Sequence, residues 1–173
     1  KLREIGPAKN TGTKTTFWPD PEIFTETTIY DYDILATRFR EMAFLNKGVR
    51  ITLTDERTDP ATQRVYHYEG GIIEFVKYLN KNKEVLFEEP IYIEGVVKGS
   101  AVAVAFQYND TYQENIYAFA NNIHTPEGGT HLTGFSTALT RAINEYGRQF
   151  GFLKAADANL KSEDVRESLA AVI

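Results

Sequence analysis

Residues 121–135, "NNIHTPEGGTHLTGF", gather side chains that could do chemistry: two adjacent Asn, two adjacent Gly, a carboxylate and two of the chain's three His. His124 and His131 could ligate a metal, with Glu127 as the nearby carboxylate. A zinc site needs three or four convergent ligands, and two His seven positions apart across Pro126, Gly128 and Gly129 form no helical i, i+4 pair. Gly128 and Gly129 also feed a helix-like run, whose first free N–H groups and dipole attract anions. Yet neither the GxxxxGK[ST] loop nor GxGxxG is present. The turn reading has the better support. Thr130 caps the helix, the glycines supply backbone angles that other residues resist, and Asn121 and Asn122 satisfy turn backbone groups.

Other constellations are incomplete. Ser136 follows Gly134 and Phe135 without the Gly-x-Ser-x-Gly elbow that makes a serine nucleophilic. Glu88 and Glu89 fall in a loop with no partner implied, and "LNKNKE" reads as lysines complementing a helix C-terminus. Phe17 and Trp18, beside Pro19, read as core or strand-end packing. The residues alone therefore assign no catalytic group and no metal ligand.

The elements that would position these residues follow from periodicity. Thr-rich and aromatic "TGTKTTFWPD" (11–20) reads as a strand ended by Pro19. Residues 30–48 read as a helix with Leu35, Phe39, Met42 and Leu45 on one face and Gly48 as its stop. Residues 49–55 alternate as a half-buried strand, 56–64 form a polar loop, and 65–69 pair back as a hairpin. A helix over 70–82 carries Ile72, Phe75, Val76 and Leu79 on one stripe. After a strand at 90–97, "SAVAVAFQYND" (100–110) has Val102, Val104 and Phe106 on one face and Ala101, Ala103 and Ala105 on the other, which predicts a central strand with a helix close to its Ala face. Residues 114–122 are expected to pair with it through a polar turn. A long helix over 129–152 carries Leu132, Phe135, Leu139, Ile143 and Tyr146, and "KSEDVRESLAAVI" starts a last helix with Ser162 as its N-cap. Strands in hairpins with helices between them predict an α+β or mixed α/β fold, with a seam near 56–70.

Composition narrows the class. The chain has 173 residues, 42% apolar and 13% aromatic, which is ample for a core. A net charge of -5 and a pI near 5.3 count against a stand-alone nucleic-acid binder. With no Cys there are no disulfides, zinc thiolates or thiol nucleophiles, a usage that suits a cytoplasmic protein. No apolar run approaches the ~20 residues that span a bilayer, and the start lacks a signal-peptide segment. The missing initiator Met and a stop at "AAVI" in mid-pattern set the expectation that the chain is a fragment.

Five blocks, "TGTKTTFWPDPEIF", "FLNKGVRITL", "YHYEGGIIEFVKYLN", "FQYNDTYQENIYAFANNIHTPEGGTHLTGFSTALTR" and "EDVRESLAAVI", occur in an order that resembles the DNA gyrase B family of bacterial type IIA topoisomerases. "ENIYAFANNI" followed by "GGTH" marks type IIA enzymes, and "EGGI" favours gyrase over topoisomerase IV. The resemblance implies that residues 1–69 are the last strands and helix of an ATPase domain of the gyrase, Hsp90, histidine-kinase and MutL (GHKL) superfamily. It implies that 70–173 are most of a transducer domain with the ribosomal-protein-S5 domain-2-like fold, a sheet with helices on one face and a left-handed crossover.

The family's general-base Glu, Mg-holding Asn, adenine-reading Asp and ATP lid are expected before residue 1, and its Gln-Thr-Lys loop after Ile173. ATP and Mg2+ are thus cofactors of the full-length parent, and the fragment alone is expected to bind neither and to be inactive. By match to the family, Thr13 lines the adenine end of the pocket, where aminocoumarins also bind, and Thr15 a neighbouring wall. Where some relatives carry an Arg facing a DNA cavity this chain has Ser136, so no DNA contact is carried over. The implied partners are DNA, the gyrase A subunit in an A2B2 assembly and a second gyrase B protomer on ATP binding, with no membrane. The implied function is coupling of ATP binding and hydrolysis to gate closure and strand passage. The alternatives are a fragment of the topoisomerase IV B subunit, a non-enzymatic S5-like nucleic-acid-binding module, or a regulatory or chaperone relative in the same ATPase superfamily.

Overall fold

A computed structural model describes residues 3–9 and 17–173. The chain forms two compact units, Lys1–Tyr32 and Asp33–Ile173. In the first, the described residues hold one turn. The Asp20 carbonyl accepts from the N–H groups of Ile23 and Phe24 at 3.1 and 2.8 Å, and its side chain accepts from the Glu22 N–H at 2.9 Å. Residues 11–16 of the expected strand lie outside the described residues, and 17–20 are irregular. Trp18, in this irregular segment, is 84% exposed and not packed as expected, and Phe17 meets Tyr30 edge-on at 6.2 Å.

Helix α1 (Tyr32–Leu45) belongs to the second unit from Asp33 onward. Its buried residues are Ala36, Ala43 and Phe44. The expected stripe through Leu35, Phe39, Met42 and Leu45 is only half-buried. Small Ala side chains decide this, since they let α1 lie close and drive Phe44 into the core at 1% exposure. Strands β1 (Arg50–Asp55) and β2 (Thr62–His67) form the expected antiparallel hairpin. Helix α2 (Ile72–Leu79) buries Phe75 and Val76 as the 3.6-residue pattern requires.

The main sheet has four strands, β3 (Ile91–Val97), β4 (Ser100–Tyr108), β5 (Asn115–Tyr117) and, last in sequence, β8 (Leu169–Val172), in spatial order β3-β4-β8-β5. Residues 114–122 do not pair with β4. Instead β8 separates them, antiparallel to β4 and parallel to β5. All four residues of β8 are fully buried, and an apolar strand of this kind belongs where neighbours cover both faces. The remaining strands, β6 (Phe119–Ala120) and β7 (Ile123–His124), make a small hairpin.

Helix α3 (Thr130–Gln149) and the short α4 (Ser162–Arg166) connect β7 to β8. Tyr146 is 56% exposed rather than on the packed stripe of α3. The expected helix in "KSEDVRESLAAVI" lasts only through α4, and "LAAV" becomes β8. Its N-cap is Lys161, not Ser162. Asp164 Oδ2 reaches back to accept the Lys161 N–H at 2.7 Å, leaving Ser162 Oγ to accept from Arg166 at 2.6 Å.

Side chains pack on both sides of β8 and the second half of β4, where helices on one face were expected, while β3 is exposed along its length. Phe44, Phe75 and Val76 pack with Ala105, Ala170 and Val172 on one side, and Phe135 and Leu139 of α3 with Val104, Phe106, Leu169 and Ala171 on the other. Small residues on the α2 side, Ala105 and Ala170, leave room there for a helix and an inserted Phe ring.

Candidate functional site

The stretch singled out in the sequence folds as a tight turn leading into α3. Asn121 and Asn122 adopt φ of 49° and 64°, the left-handed pair that a two-residue hairpin turn needs and that Asn tolerates. Thr125 doubles back, its N–H and its hydroxyl both donating to the Ala118 carbonyl at 2.9 Å. Its hydroxyl also meets His131 Nε2 at 3.1 Å. The His124 ring stacks on Tyr117 and packs against Phe119, with centroids 5.5 and 5.2 Å away. Both histidines are therefore occupied by packing and turn contacts. Among the described residues no group of three His, Cys, Asp or Glu could hold a metal.

The cap of α3 differs from expectation. Gly129, not Thr130, is the N-cap, at φ 153°, with no side-chain cap bond. A Cβ on Gly129 would lie 2.7 Å from His131 Cε1, so only glycine lets the chain enter the helix while the His131 ring folds over it. Ser136 lies inside the fold at 8% exposure, and its carbonyl accepts the Thr140 hydroxyl at 2.7 Å. Thr13 and Thr15 lie outside the described residues.

Asn122 has a second task that sequence reasoning missed. Its carbonyl accepts Arg38 Nη2 of α1 at 2.7 Å, and its side-chain amide donates to Asn46 Oδ1 at 2.9 Å. Two residues along α1, the Arg40 guanidinium lies 5.7 Å from the Tyr66 ring centroid and 5.0 Å from that of Tyr78, and it donates to the Tyr78 hydroxyl. Between these two anchors and the sheet, Phe44 stacks on Tyr68 at 3.7 Å and on Phe75 at 4.7 Å. Each such pair adds about 1 kcal/mol beyond burial. The legible signal was the i, i+4, i+7, i+8 series Ala36, Arg40, Ala43, Phe44, which the more apolar Leu35 series outweighed.

Behind this seam runs a chain of buried amides. Asn80 donates to Gln107 Oε1 at 2.9 Å, Asn109 donates to Asn80 Oδ1 at 3.1 Å, and Gln107 donates to the carbonyls of Phe87 and Glu88 at 2.7 and 3.1 Å. On the far side of α3, Arg148 donates to the carbonyls of Lys154 and Asp157, both at 2.9 Å, and to Asn159 Oδ1 at 2.6 Å, holding the following loop to the helix. None of these groups is poised as a nucleophile or general base. The arrangement fixes two helices and a hairpin to one sheet.

Comparison with known proteins agrees in family and fold. The DNA gyrase B family profile matches residues 71–173. The DNA gyrase B subunit of Clostridium acetobutylicum is 60% identical over 173 residues, covering 99% of this chain and 27% of that protein. The chain thus spans about a quarter of that relative's length. The crystal structure of the 43K ATPase domain of Thermus thermophilus gyrase B, in complex with an aminocoumarin, is 34% identical with a TM-score of 0.73, over 89% of this chain and 41% of that one. The B subunit of Myxococcus xanthus DNA gyrase is 26% identical with a TM-score of 0.74, over 89% and 42%. The fold is accordingly α+β, of the S5 domain 2-like transducer type preceded by a GHKL-type helix and hairpin. With more than half of its length matched by that profile, the chain belongs to the DNA gyrase B family.

Proposed function

We propose that this chain is the coupling segment of an ATP-hydrolysing type IIA topoisomerase subunit, transmitting movement from an ATPase domain to a DNA gate. In this reading residues 1–69 end the ATPase domain and 70–173 are most of the transducer. The observation that carries it is the aromatic seat at their junction. Phe44 of α1 stacks on Phe75 of α2 at 4.7 Å, in the same buried cluster as Ala105, Ala170 and Val172 of the sheet. Displacing α1 must therefore displace α2 and the sheet, because close-packed cores shift between discrete arrangements rather than deforming smoothly.

ATP and Mg2+ would act in the whole subunit, where ATP binding biases a two-state gate. Thr13 would line the adenine end of the nucleotide pocket and Thr15 its neighbouring wall. Among the described residues no acidic or His cluster suits Mg2+. This segment's own share is to stay stiff between the two ends. DNA, the gyrase A subunit in an A2B2 assembly and a second gyrase B protomer would be its partners.

The test is a Gly-Gly insertion after Asn80 in the full-length protein, assayed in the presence of the gyrase A subunit. Supercoiling per ATP hydrolysed is expected to fall several-fold while ATP turnover persists. An unchanged ratio would remove the coupling role.

A further inference from the structure

Phe44 seats α1 through a single side chain, and a helix held at one ring can still swivel about it. Directional contacts from Arg38 and Arg40 oppose that rotation, and they go to different elements. Arg38 donates to the Asn122 carbonyl at 2.7 Å, on the β6–β7 hairpin. It is also paired with Glu41 at 3.1 Å, which holds its fork toward that turn. Arg40 lies over the rings of Tyr66 in β2 and Tyr78 in α2, donating to the Tyr78 hydroxyl. Asn122 completes the first anchor, because φ of 64° shapes the turn and its side chain grips Asn46 at 2.9 Å.

We propose that Arg38 and Arg40 are positioning residues that lock the rotation of α1 about Phe44, so that motion entering through α1 reaches both α2 and the β6–β7 hairpin. This rests on the coupling function proposed above and names the residues that make the coupling directional. At 40 a planar guanidinium can lie on a ring and donate to its hydroxyl together, which a lysine ammonium does less well, whereas at 38 a single donor to the Asn122 carbonyl suffices.

The experiment has two arms. In the 173-residue chain, R38M/R40M keeps much of the apolar stems but removes the donors. Amide exchange in α1 is expected to rise about tenfold, with exchange in β4 and β8 unchanged. No rise in α1, or an equal rise in β4 and β8, would overturn the lock. In the full-length protein paired with the gyrase A subunit, the same double substitution is expected to lower supercoiling per ATP about fivefold while leaving ATP turnover within about twofold. R38K on the R40-intact background, which keeps one donor for the Asn122 carbonyl, is expected to behave nearly as the parent. Turnover and supercoiling falling in step would also overturn it. If the unmodified protein showed no ATP-driven supercoiling, the coupling function would fail by itself, and the exchange arm would still decide whether the arginines lock α1.

Discussion

The side chain of Asn80, at the end of α2, donates to Gln107 Oε1 of β4 at 2.9 Å, with both residues buried at 4% and 1% exposure. Through Asn109 and the carbonyls of Phe87 and Glu88, this bond ties a helix terminus, a central strand and a loop into one satisfied network. Inside a core such a network holds one geometry, because any displacement strands a buried donor or acceptor.

Gln107→Ala should therefore cost more than its lost volume. It leaves the Asn80 amide and the Phe87 and Glu88 carbonyls without their partner, for an expected loss of about 3 kcal/mol in urea unfolding. A loss below about 1 kcal/mol would mean that water replaces the side chain freely.

Gly129→Ala is expected to destabilise by about 1–3 kcal/mol, because φ of 153° there suits only glycine and the new methyl meets the His131 ring. Adding His131→Ala relieves the contact but not the backbone strain, so the pair should be non-additive by about 1 kcal/mol in a double-mutant cycle.

Asp55 gives a defined acid response. The Arg57 side chain donates to its carboxylate at 2.8 and 2.7 Å and the Arg57 N–H at 3.0 Å, holding the pKa at about 2 against an ordinary 3.8. The folded pKa is the lower one, so the stabilisation is present above 3.8 and lost as pH falls toward about 2. Carboxyl NMR titration should show that midpoint, and Arg57→Ala should return it toward 3.8.

Tyr108 responds at the alkaline end. Its hydroxyl donates to the Val165 carbonyl at 2.6 Å, and burial raises its pKa above the ordinary 10. The fold favours its neutral form more than the unfolded chain does, so its stabilisation is complete below pH 10 and lost as pH rises through the folded value. Tyr108→Phe should cost about 1 kcal/mol at pH 7, and its stability should fall less steeply than the parent's above pH 10.

Much of this fold was legible as period and composition. Alternating Val and Ala over 101–106 announced a central strand with a helix-accepting face, and that is where Phe75 and Val76 pack. Local pattern could not reveal that Leu169–Val172 would slide between β4 and β5, since pairing partners dozens of residues away leave no mark on a four-residue run. The turn character of residues 121–129 was readable from Asn and Gly types. The grip of Asn122 on Arg38 and Asn46 was not, because it depends on where α1 docks. Thr13 and Thr15 were reached through family resemblance alone.

The central place of β8 has a consequence for biosynthesis. On the ribosome, β3 and β4 can form their hairpin as soon as they emerge, but β4 and β5 have no shared neighbour until Val172 clears the exit tunnel. The nascent chain must therefore wait for everything between β4 and β8 to be made, with Val104, Ala105 and Phe106 beside an open ladder, a long-range closure that folds slowly and invites chaperone capture.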